Sequence, residues 1–379
     1  MHFHFCKEGE TLFSIAREYG ASPVRVMEEN RLIDPDRLAV GQCIAIFESA
    51  RSYTVRGGDT FESIRRRFDV SEWELLKFNP GIGEKRLLYP GQSLTIIPLE
   101  RSMGSICVNG MVSKHIPLTV LQNFSSALTY LTIFDSNATS GSGLHEDKEL
   151  ALIKFCNKNA IVPLARLQIS PHPERQIDRL LSLGYRGALL DGDGDKSLTL
   201  FYLERMKKER LVRIFSRSLV SLIDAEVDWQ TLPFGDPTIP MERRYRTLVD
   251  SADFCYDSMP ELPCRAVEIR EEGGEILRTH PLTDCARLAY RKNARIEKTS
   301  DGMSRFTIGV TSSGIHEKHQ ILFSDLEAIK KGLTVLGESG CLGLSIYPQW
   351  CPSALPTLLG RCFDVIREQD RKIPSHYAR

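Results

Sequence analysis

The pattern of apolar and polar residues changes along the chain near Arg101. Before that point, short alternating stretches flank segments in which apolar residues recur at helical spacing, as Phe61, Ile64 and Phe68 do. Beyond it, longer apolar runs alternate with amphipathic helical stretches. The runs that predict buried strands are SICVNG (105–110), LTYLTIFDS (128–136), AIVPLARL (160–167), GALLDGDG (187–194) and LVRIFSRSL (211–219).

The second pattern predicts parallel strands joined by helical crossovers. We expect residues 103–373 to form a (β/α)8-type TIM barrel, which puts the chain in the α/β class. Functional sites on such barrels lie at the carboxyl ends of the strands. The acidic residues that follow GALL therefore stand at a predicted site.

The crossover pattern fails at one place. Only eight residues separate Asp257 from the apolar run that begins at Ala266, whereas a parallel crossover needs about 10 to 12 residues. The barrel is therefore predicted to be incomplete around its sixth and seventh strands. Gly273 and Gly274 then indicate a hairpin turn, and an exposed strand edge there would favour a protein partner or self-association.

The first pattern is an internal repeat. The segments KEGETLFSIAREYGAS (7–22) and RGGDTFESIRRRFDVS (56–71) match at an offset of 49 residues, and VGQCIAI (40–46) matches PGQSLTI (90–96) after a one-residue slip. In each copy a threonine stands at the N-cap position of a helical stretch, and strands begin and end the repeat. Residues 1–48 and 51–98 are therefore each predicted to form a small β-α-α-β unit.

This repeat resembles the LysM module. The family's Y-x-V-x-x-G-D-T opening, central asparagine and G-Q-x-L-x-I ending stand here as YTVRGGDT, Asn79 and GQSLTI, although the first copy lacks the tyrosine. The resemblance implies binding of N-acetylglucosamine polymers such as peptidoglycan and chitin in a shallow groove between two loops. It places there Glu10, Thr11, Leu12, Asn30, Leu32 and Ile33 in the first copy, and Asp59, Thr60, Phe61, Asn79, Gly81 and Ile82 in the second.

An alternative stays open for these groove residues. The threonines could serve only as helix caps and the asparagines only as turn formers, which would leave the sugar contacts to backbone groups. In either case two weak sites on one chain would bind a polymer far more tightly than one, provided that both can engage at once.

A second resemblance begins at the acidic segment. RGALLDGD (186–193) resembles the D-G-x-x-x-D-x-E signature of family 18 glycoside hydrolases, and FCYD (254–257) and GCLGLSIYPQW (340–350) resemble two further strand motifs of that family. The resemblance implies that Asp191 orients the substrate acetamide, that Asp193 holds the position of the general acid, and that Tyr256 and Tyr347 belong to the site. The order of domains, two LysM modules followed by such a barrel, resembles that of spore-cortex N-acetylglucosaminidases and germination proteins of endospore-forming bacteria.

The main departure from that signature is the acid. Asp193 stands where the family has glutamate, so its carboxyl falls short by more than an ångström, and a misplacement of about 1 Å can cost on the order of a hundredfold in rate. Arg186 replaces the first aspartate of the signature and would bring a cation among the carboxylates, and Tyr347 replaces a tryptophan. We therefore expect a peptidoglycan-binding protein with a degenerate barrel, and an active N-acetylglucosaminidase that uses Asp193 is the alternative.

Two further interpretations of DGDGD stay open. The segment could be a calcium loop, although it lacks the later ligands of an EF-hand. It could also be a solvated turn in which Asp195 only caps the next helix.

The composition of the chain argues against some classes of binding partner. Lys plus Arg and Asp plus Glu both total 49, so charge does not favour nucleic acid, and no apolar run reaches the roughly 18 residues of a membrane span. No export signal is seen, which would fit synthesis in a mother cell and a place in the spore cortex or coat. Neither cofactor nor metal is predicted, because the cysteines and His115, His172, His280, His316 and His319 show no ligand spacing.

The ten cysteines are expected to be reduced and mostly buried. Cys6 and Cys43 are the pair that could form a disulfide, because both stand on strands that should pair. His316 and His319 are expected at the surface.

Overall fold

The computed structural model of the chain describes residues 1–32, 34–47, 51–68, 70, 75–76, 79–83, 86–96, 103–135, 146–192, 195–223, 227–233, 236, 238–251, 254–255, 257–312 and 315–367. Three predicted site residues, Ile33, Asp193 and Tyr256, lie outside this range.

The first repeat forms a β-α-α-β unit. Strands β1 (His2–Phe5) and β2 (Cys43–Ile46) pair antiparallel, and helices α1 (Leu12–Glu18) and α2 (Pro23–Asn30) lie between them in the chain. Helix α1 begins after Thr11, whose hydroxyl accepts a hydrogen bond from the Ser14 N–H at 3.1 Å. The apolar faces of both helices close a small core against the strands, formed by Cys6, Leu12, Ile15, Ala16, Val26, Ile44 and Ile46.

The described part of the second repeat has the two outer strands and the first helix at equivalent positions, around a core of its own. Strands β3 (Arg51–Thr54) and β4 (Ser93–Ile96) pair antiparallel, and helix α3 (Phe61–Phe68) follows Thr60. A short 3-10 turn, Pro80–Ile82, precedes the return to β4. The core consists of Val55, Phe61, Ile64, Val70, Leu75, Ile82, Leu94 and Ile96.

The larger part of the chain is a barrel of eight parallel strands, as predicted. The first seven pair in chain order and are β5 (Ser105–Val112), β6 (Tyr130–Ile133), β7 (Val162–Gln168), β8 (Gly187–Asp191), β9 (Val212–Ser216), β10 (Trp229–Leu232) and β11 (Ser258–Pro260). The helices that follow the first six are α4 (Leu118–Phe124), α5 (Glu146–Lys158), α6 (Pro173–Leu183), α7 (Lys196–Lys208), α8 (Arg217–Ile223) and α9 (Met241–Val249). Apolar side chains fill the interior, including Cys107, Tyr130, Leu164, Leu189, Ile214 and Met259.

A five-stranded antiparallel sheet is inserted after the seventh strand. It comprises β12 (Arg265–Arg270), β13 (Ile276–Pro281), β14 (Glu297–Lys298), β15 (Ser304–Ser312) and β16 (Ile315–Phe323), in the spatial order β13-β12-β16-β15-β14. Helix α10 (Leu282–Arg291) connects β13 to β14. The predicted hairpin joins β12 to β13, and Gly273 and Gly274 take positive φ angles of 93° and 68° in its turn.

The chain then returns to the barrel. Helix α11 (Leu326–Glu338) leads into the eighth strand, β17 (Gly343–Ile346), which pairs with β5. Helix α12 (Leu355–Cys362) and the short strand β18 (Asp364–Val365) complete the described chain.

The barrel has one unsealed seam, between its seventh and eighth strands. Across the described residues a single bridge joins them, from Glu261 to Ser345, beside a 2.8 Å hydrogen bond from the Leu262 N–H to the Ser345 carbonyl. The predicted incompleteness of the barrel is confirmed at this seam, although it lies between the seventh and eighth strands. The expected short crossover does not exist, because the run at 265–270 belongs to the inserted sheet and α9 supplies the crossover before β11. The short gap after Asp257 therefore leads out of the barrel.

The first repeat packs against the barrel side of the molecule. The Ile296 N–H donates to the Val40 carbonyl at 2.9 Å, and Arg31 Nη2 donates to the Asn123 carbonyl at 2.8 Å. At Gly41, with φ of 82°, an added Cβ would lie 2.0 Å from the Ile296 carbonyl oxygen. The backbones of the repeat and of the insertion therefore meet at a position that only glycine fits.

All ten cysteines are free thiols, so the disulfide considered for Cys6 and Cys43 is not formed. Burial raises the pKa of Cys6 to about 12 and keeps this thiol protonated. Within the described part of the chain, no helix has both the length and the apolar character that crossing a membrane requires.

Candidate functional site

The acidic segment lies at the carboxyl end of the fourth barrel strand. Asp191 is the last residue of β8, and the chain turns at Gly192, whose φ is 109°. Asp195 caps helix α7, because its Oδ1 accepts hydrogen bonds from the Ser197 and Leu198 N–H groups at 2.9 and 3.1 Å. One of the three aspartates therefore has the capping role that the turn interpretation predicted.

Asp191 forms an ion pair with a cation on the neighbouring strand. Arg166 on β7 donates from Nη2 to Asp191 Oδ2, while Asp191 Oδ1 accepts the Gly192 N–H at 2.8 Å. The two side chains are 36% and 33% exposed, so the pair contributes about 1 kcal/mol or less to stability. The effect of the pair on the chemistry of Asp191 is larger, because each of its carboxylate oxygens already accepts a hydrogen bond.

Aromatic rings and a second ion pair lie at the last two strand ends. Tyr347 follows β17 and stacks on Trp350 with ring centroids 4.7 Å apart. The Arg265 guanidinium lies 4.0 Å from the Trp350 ring centroid and 3.4 Å from Glu261 Oε1, across an exposed mouth. Burial raises the pKa of Tyr347, and the Glu261 carboxylate raises it further.

We call Arg166, Asp191, Glu261, Arg265, Tyr347 and Trp350 the mouth cluster. The charges of Arg166, Asp191, Glu261 and Arg265 all act on the Tyr347 hydroxyl, so the cluster surrounds one end of the barrel. Below it, Asn109 Nδ2, Arg166 Nε and Ser345 Oγ are buried and have no hydrogen-bond partner among the described residues. The barrel end therefore combines a stacking surface, paired charges and buried polar groups without partners in the described part of the chain.

Arg186 does not bring a cation among the carboxylates, as the sequence predicted. It precedes β8, is exposed, and lies about 16 Å from Asp191 along the strand at roughly 3.3 Å per residue. The cation beside Asp191 is Arg166. Sequence reasoning missed Arg166, Arg265 and Trp350, although an arginine at an inward-facing position of the apolar run AIVPLARL was a signal for the first of them.

The groove residues of the two repeats divide into exposed and buried groups. Thr11, Thr60 and Gly81 are exposed, Leu32 and Asp59 are half-buried, and Leu12, Phe61 and Ile82 belong to the small cores. Both threonine hydroxyls accept hydrogen bonds at helix starts, from Ser14 and Ser63. Thr11 and Thr60 thus act as caps while their outer surfaces remain accessible.

Asn30 and Asn79 make the same three hydrogen bonds. Asn30 donates to the Val26 and Ala45 carbonyls at 2.9 and 2.7 Å and accepts the Ala45 N–H at 2.8 Å. Asn79 is bonded in the same way, to the residues Leu75 and Thr95. Both amide N–H groups are used in each copy, so these side chains tie a helix end to the return strand.

The inserted sheet contains a buried carboxylate that sequence reasoning did not predict. Glu268, 1% exposed, accepts hydrogen bonds from Arg278 Nε, His280 Nε2 and His319 Nδ1 at 2.5 to 2.6 Å. Burial alone would raise the pKa of Glu268, but these donors lower it to about 2. His319, expected at the surface, is 7% exposed, and its hydrogen bond to Glu268 raises its pKa.

Comparison with known proteins identifies both parts of the chain. The family model of the LysM domain matches residues 7–47 and 53–96. The chain is 30% identical to an endolysin of Bacillus phage B103 over 98 residues, which are 24% of this chain and 37% of that protein. It is 26% identical to the "Putative sporulation-specific glycosylase YdhD" of Bacillus subtilis (strain 168) over 169 residues, 44% of this chain and 39% of that protein. The chain thus spans less than two fifths of either relative.

The whole fold has a counterpart among solved structures. The spore cortex-lytic enzyme SleL of Bacillus megaterium QM B1551 superposes with a TM-score of 0.67 at 16% identity, covering 96% of this chain and 98% of that one. The similarity extends over the repeats and the barrel together. The chain therefore consists of two LysM domains followed by a TIM barrel, an architecture that it shares with a spore cortex-lytic enzyme.

Proposed function

We propose that the chain binds peptidoglycan through its LysM domains, and that its barrel is a sugar-binding cleft that does not hydrolyse glycan efficiently. The observation that carries the second part is the ion pair between Arg166 and Asp191. It lies where the family 18 resemblance requires a carboxylate that can serve the substrate.

The charge of Arg166 opposes the role of Asp191 in hydrolysis. In substrate-assisted hydrolysis the acetamide carbonyl attacks the anomeric carbon, and positive charge develops on the acetamide nitrogen. Asp191 would have to stabilise that charge, but the Arg166 guanidinium already neutralises this carboxylate and opposes a second cation beside it. The shorter acid at Asp193 adds to the deficit, because general-acid catalysis typically contributes about 10² to 10⁴ in rate.

The names of the relatives support a ligand and a location. A cortex-lytic enzyme, a sporulation-specific glycosylase and an endolysin are proteins whose names refer to spore or wall glycan, and this supports peptidoglycan as the polymer and the spore as the place. At the barrel mouth, the Tyr347 and Trp350 rings offer stacking surface for a sugar. A spore-protein partner or a second copy would pair with the exposed edge strand β13, where Ile276 is 51% exposed.

The second candidate is an active N-acetylglucosaminidase with Asp193 as general acid. The observation in its favour is that Asp191 is retained at the end of the fourth strand, as the signature requires. No cofactor enters either mechanism.

Release of reducing ends from purified peptidoglycan separates the two candidates. We expect no release by the native chain, and release by the double variant Arg166→Gln/Asp193→Glu, which frees Asp191 and lengthens the acid arm. Asp193→Glu alone should release less than the double variant. Release by the native chain that Asp193→Asn abolishes would establish the enzyme instead.

A further inference from the structure

Three potential metal ligands meet in the first LysM domain. His4 on β1, Glu10 in the following turn and Glu18 at the end of α1 each present a ligand atom, and these atoms all lie within 4.8 Å of one another. His4 is 5% exposed, and its Nε2 lies 2.7 Å from Glu10 Oε2. Glu18 is exposed, so its carboxylate can adjust its position.

The second LysM domain has different side chains at these positions. At the constant offset of 49 residues, its equivalents are Tyr53, Asp59 and Arg67. The Tyr53 hydroxyl donates to Asp59 Oδ2 at 2.6 Å, and Arg67 Nη1 lies 3.7 Å from Asp59 Oδ1 and 2.7 Å from the Tyr53 oxygen. The second domain therefore places a cation of its own, the Arg67 guanidinium, beside the acidic residue.

The first domain reverses that charge. A carboxylate, Glu18, stands where the second domain has Arg67, and an imidazole, His4, stands where it has a phenol. The three positions carry no net charge in the second domain, but carry two negative charges and a neutral nitrogen ligand in the first when His4 is unprotonated. The first domain has no cation at the position of Arg67, and its nearest one, the exposed Lys7 ammonium, lies 4.0 Å from Glu10 Oε1.

We propose that His4, Glu10 and Glu18 bind a divalent transition-metal ion, with zinc as the best match. One imidazole nitrogen and two carboxylate oxygens are a common ligand type for zinc, whereas magnesium and calcium prefer oxygen ligands alone. Ligand atoms held about 2.0 to 2.2 Å from a tetrahedral zinc ion lie about 3.3 Å apart. Binding therefore requires the 2.7 Å contact between His4 Nε2 and Glu10 Oε2 to open slightly, and the exposed Glu18 side chain to move.

The surroundings suit such a site. His4 Nδ1 lies 3.2 Å from the Tyr19 hydroxyl, a contact that orients the ring and leaves Nε2 to face the carboxylates. Glu10 Oε2 also accepts the Lys7 N–H at 2.7 Å, which fixes the turn before Thr11. A bound ion would therefore link the strand, the turn and the helix end beside the proposed glycan groove. Histidine and cysteine spacing could not predict this, because each ligand comes from a different element.

Calorimetric titration of the full chain with zinc chloride, after removal of bound metal by a chelator, tests the proposal. We expect the native chain to bind one zinc ion more than Glu18→Arg, which restores the charge of the second domain, and affinity at that site to fall about tenfold or more in Glu18→Gln. Glu28→Gln, an exposed carboxylate on α2, is the matched control and should leave binding unchanged.

Two results would contradict the zinc site. Equal zinc stoichiometry in the native chain and in Glu18→Arg would overturn the proposal, as would magnesium binding as tight as zinc binding. Because Glu18 is exposed, the test does not depend on replacing the buried His4. This inference is independent of the proposed glycan function, since the readout is metal binding alone.

Discussion

At the scale of single residues, the two equivalent asparagines show how a repeated polar side chain serves the fold. Asn30 and Asn79 each bond two carbonyls and one N–H between a helix end and a strand. Both side chains are buried, at 6% and 8% exposure. Any sugar contact near them is thus expected to involve neighbouring backbone groups.

We predict that Asn30→Ala lowers the free energy of unfolding by roughly 3 kcal/mol, because it leaves buried backbone groups without partners. Thr11→Ala should cost about 1 kcal/mol, the usual value of a lost N-cap. Urea unfolding of the full chain measures both. Unchanged stability in Asn30→Ala together with lost glycan binding would show instead that the asparagine contacts the ligand.

The barrel site illustrates what sequence could not reveal about single residues. Asp191 was identified from a local motif, whereas its partner Arg166 comes from the preceding strand, 25 residues away. Which inward-facing side chains meet depends on the stagger of neighbouring barrel strands, and sequence spacing does not specify that stagger. The same limit applies to Arg265 and Trp350, which meet across the unsealed seam.

At the scale of elements, the inserted sheet is the part that the alternating pattern could not predict. Helix and strand alternation correctly predicted the first five barrel strands and helical crossovers between most of them. It failed after Asp257, because a strand of an insertion and a strand of the barrel have the same local apolar pattern. Gly273 and Gly274 were the available signal, since a tight hairpin produces antiparallel strands, which a TIM barrel lacks.

The insertion should have a characteristic pH dependence, because Glu268 links β12 to β13 and β16. The raised pKa of His319 gives stability that is complete below its ordinary pKa of about 6.5 and is lost as pH rises through its raised folded value. The pKa of Glu268, lowered to about 2, gives stability that is present above its ordinary value near 4.5 and is lost as pH falls toward 2. The cluster therefore stabilises most in mildly acidic solution.

We predict that Glu268→Gln lowers the melting temperature most between about pH 5 and 6.5, and that its deficit shrinks as pH rises toward 9. Glu271→Gln, on an exposed turn residue next to the same strand, is the control and should show a small deficit at every pH. A deficit for Glu268→Gln that stays constant across this range would mean that the histidine bonds do not contribute as proposed.

At the scale of the whole molecule, the two LysM domains differ in how they relate to the barrel. The first makes a backbone hydrogen bond to the insertion, at Ile296, and Ala39, Ala45 and Phe47 belong to the main core that it shares with the barrel. The second domain has a hydrophobic core of its own, separate from the main core. The repeat pattern predicted two equal units, and only the tertiary contacts distinguish them.

Equivalent glycines of the two domains test this difference. Gly41 and Gly91 both have positive φ angles, 82° and 88°, but only an added Cβ at Gly41 meets another segment, the Ile296 carbonyl. We predict that Gly91→Ala costs about 1 kcal/mol from backbone strain, and that Gly41→Ala costs roughly 3 kcal/mol because it also separates the domain from the barrel. Hydrogen exchange should rise at the Ile296 amide only in Gly41→Ala, and an equal effect in both variants would contradict the docking.

If the molecule holds peptidoglycan without degrading it, the native chain should sediment with insoluble peptidoglycan while the turbidity of the suspension stays constant over time. We also expect Gly81→Trp, which fills an open position in the second groove, to sediment less than the control Gly309→Trp. Clearing of the suspension by the native chain, stopped by Asp193→Asn, would contradict binding without degradation.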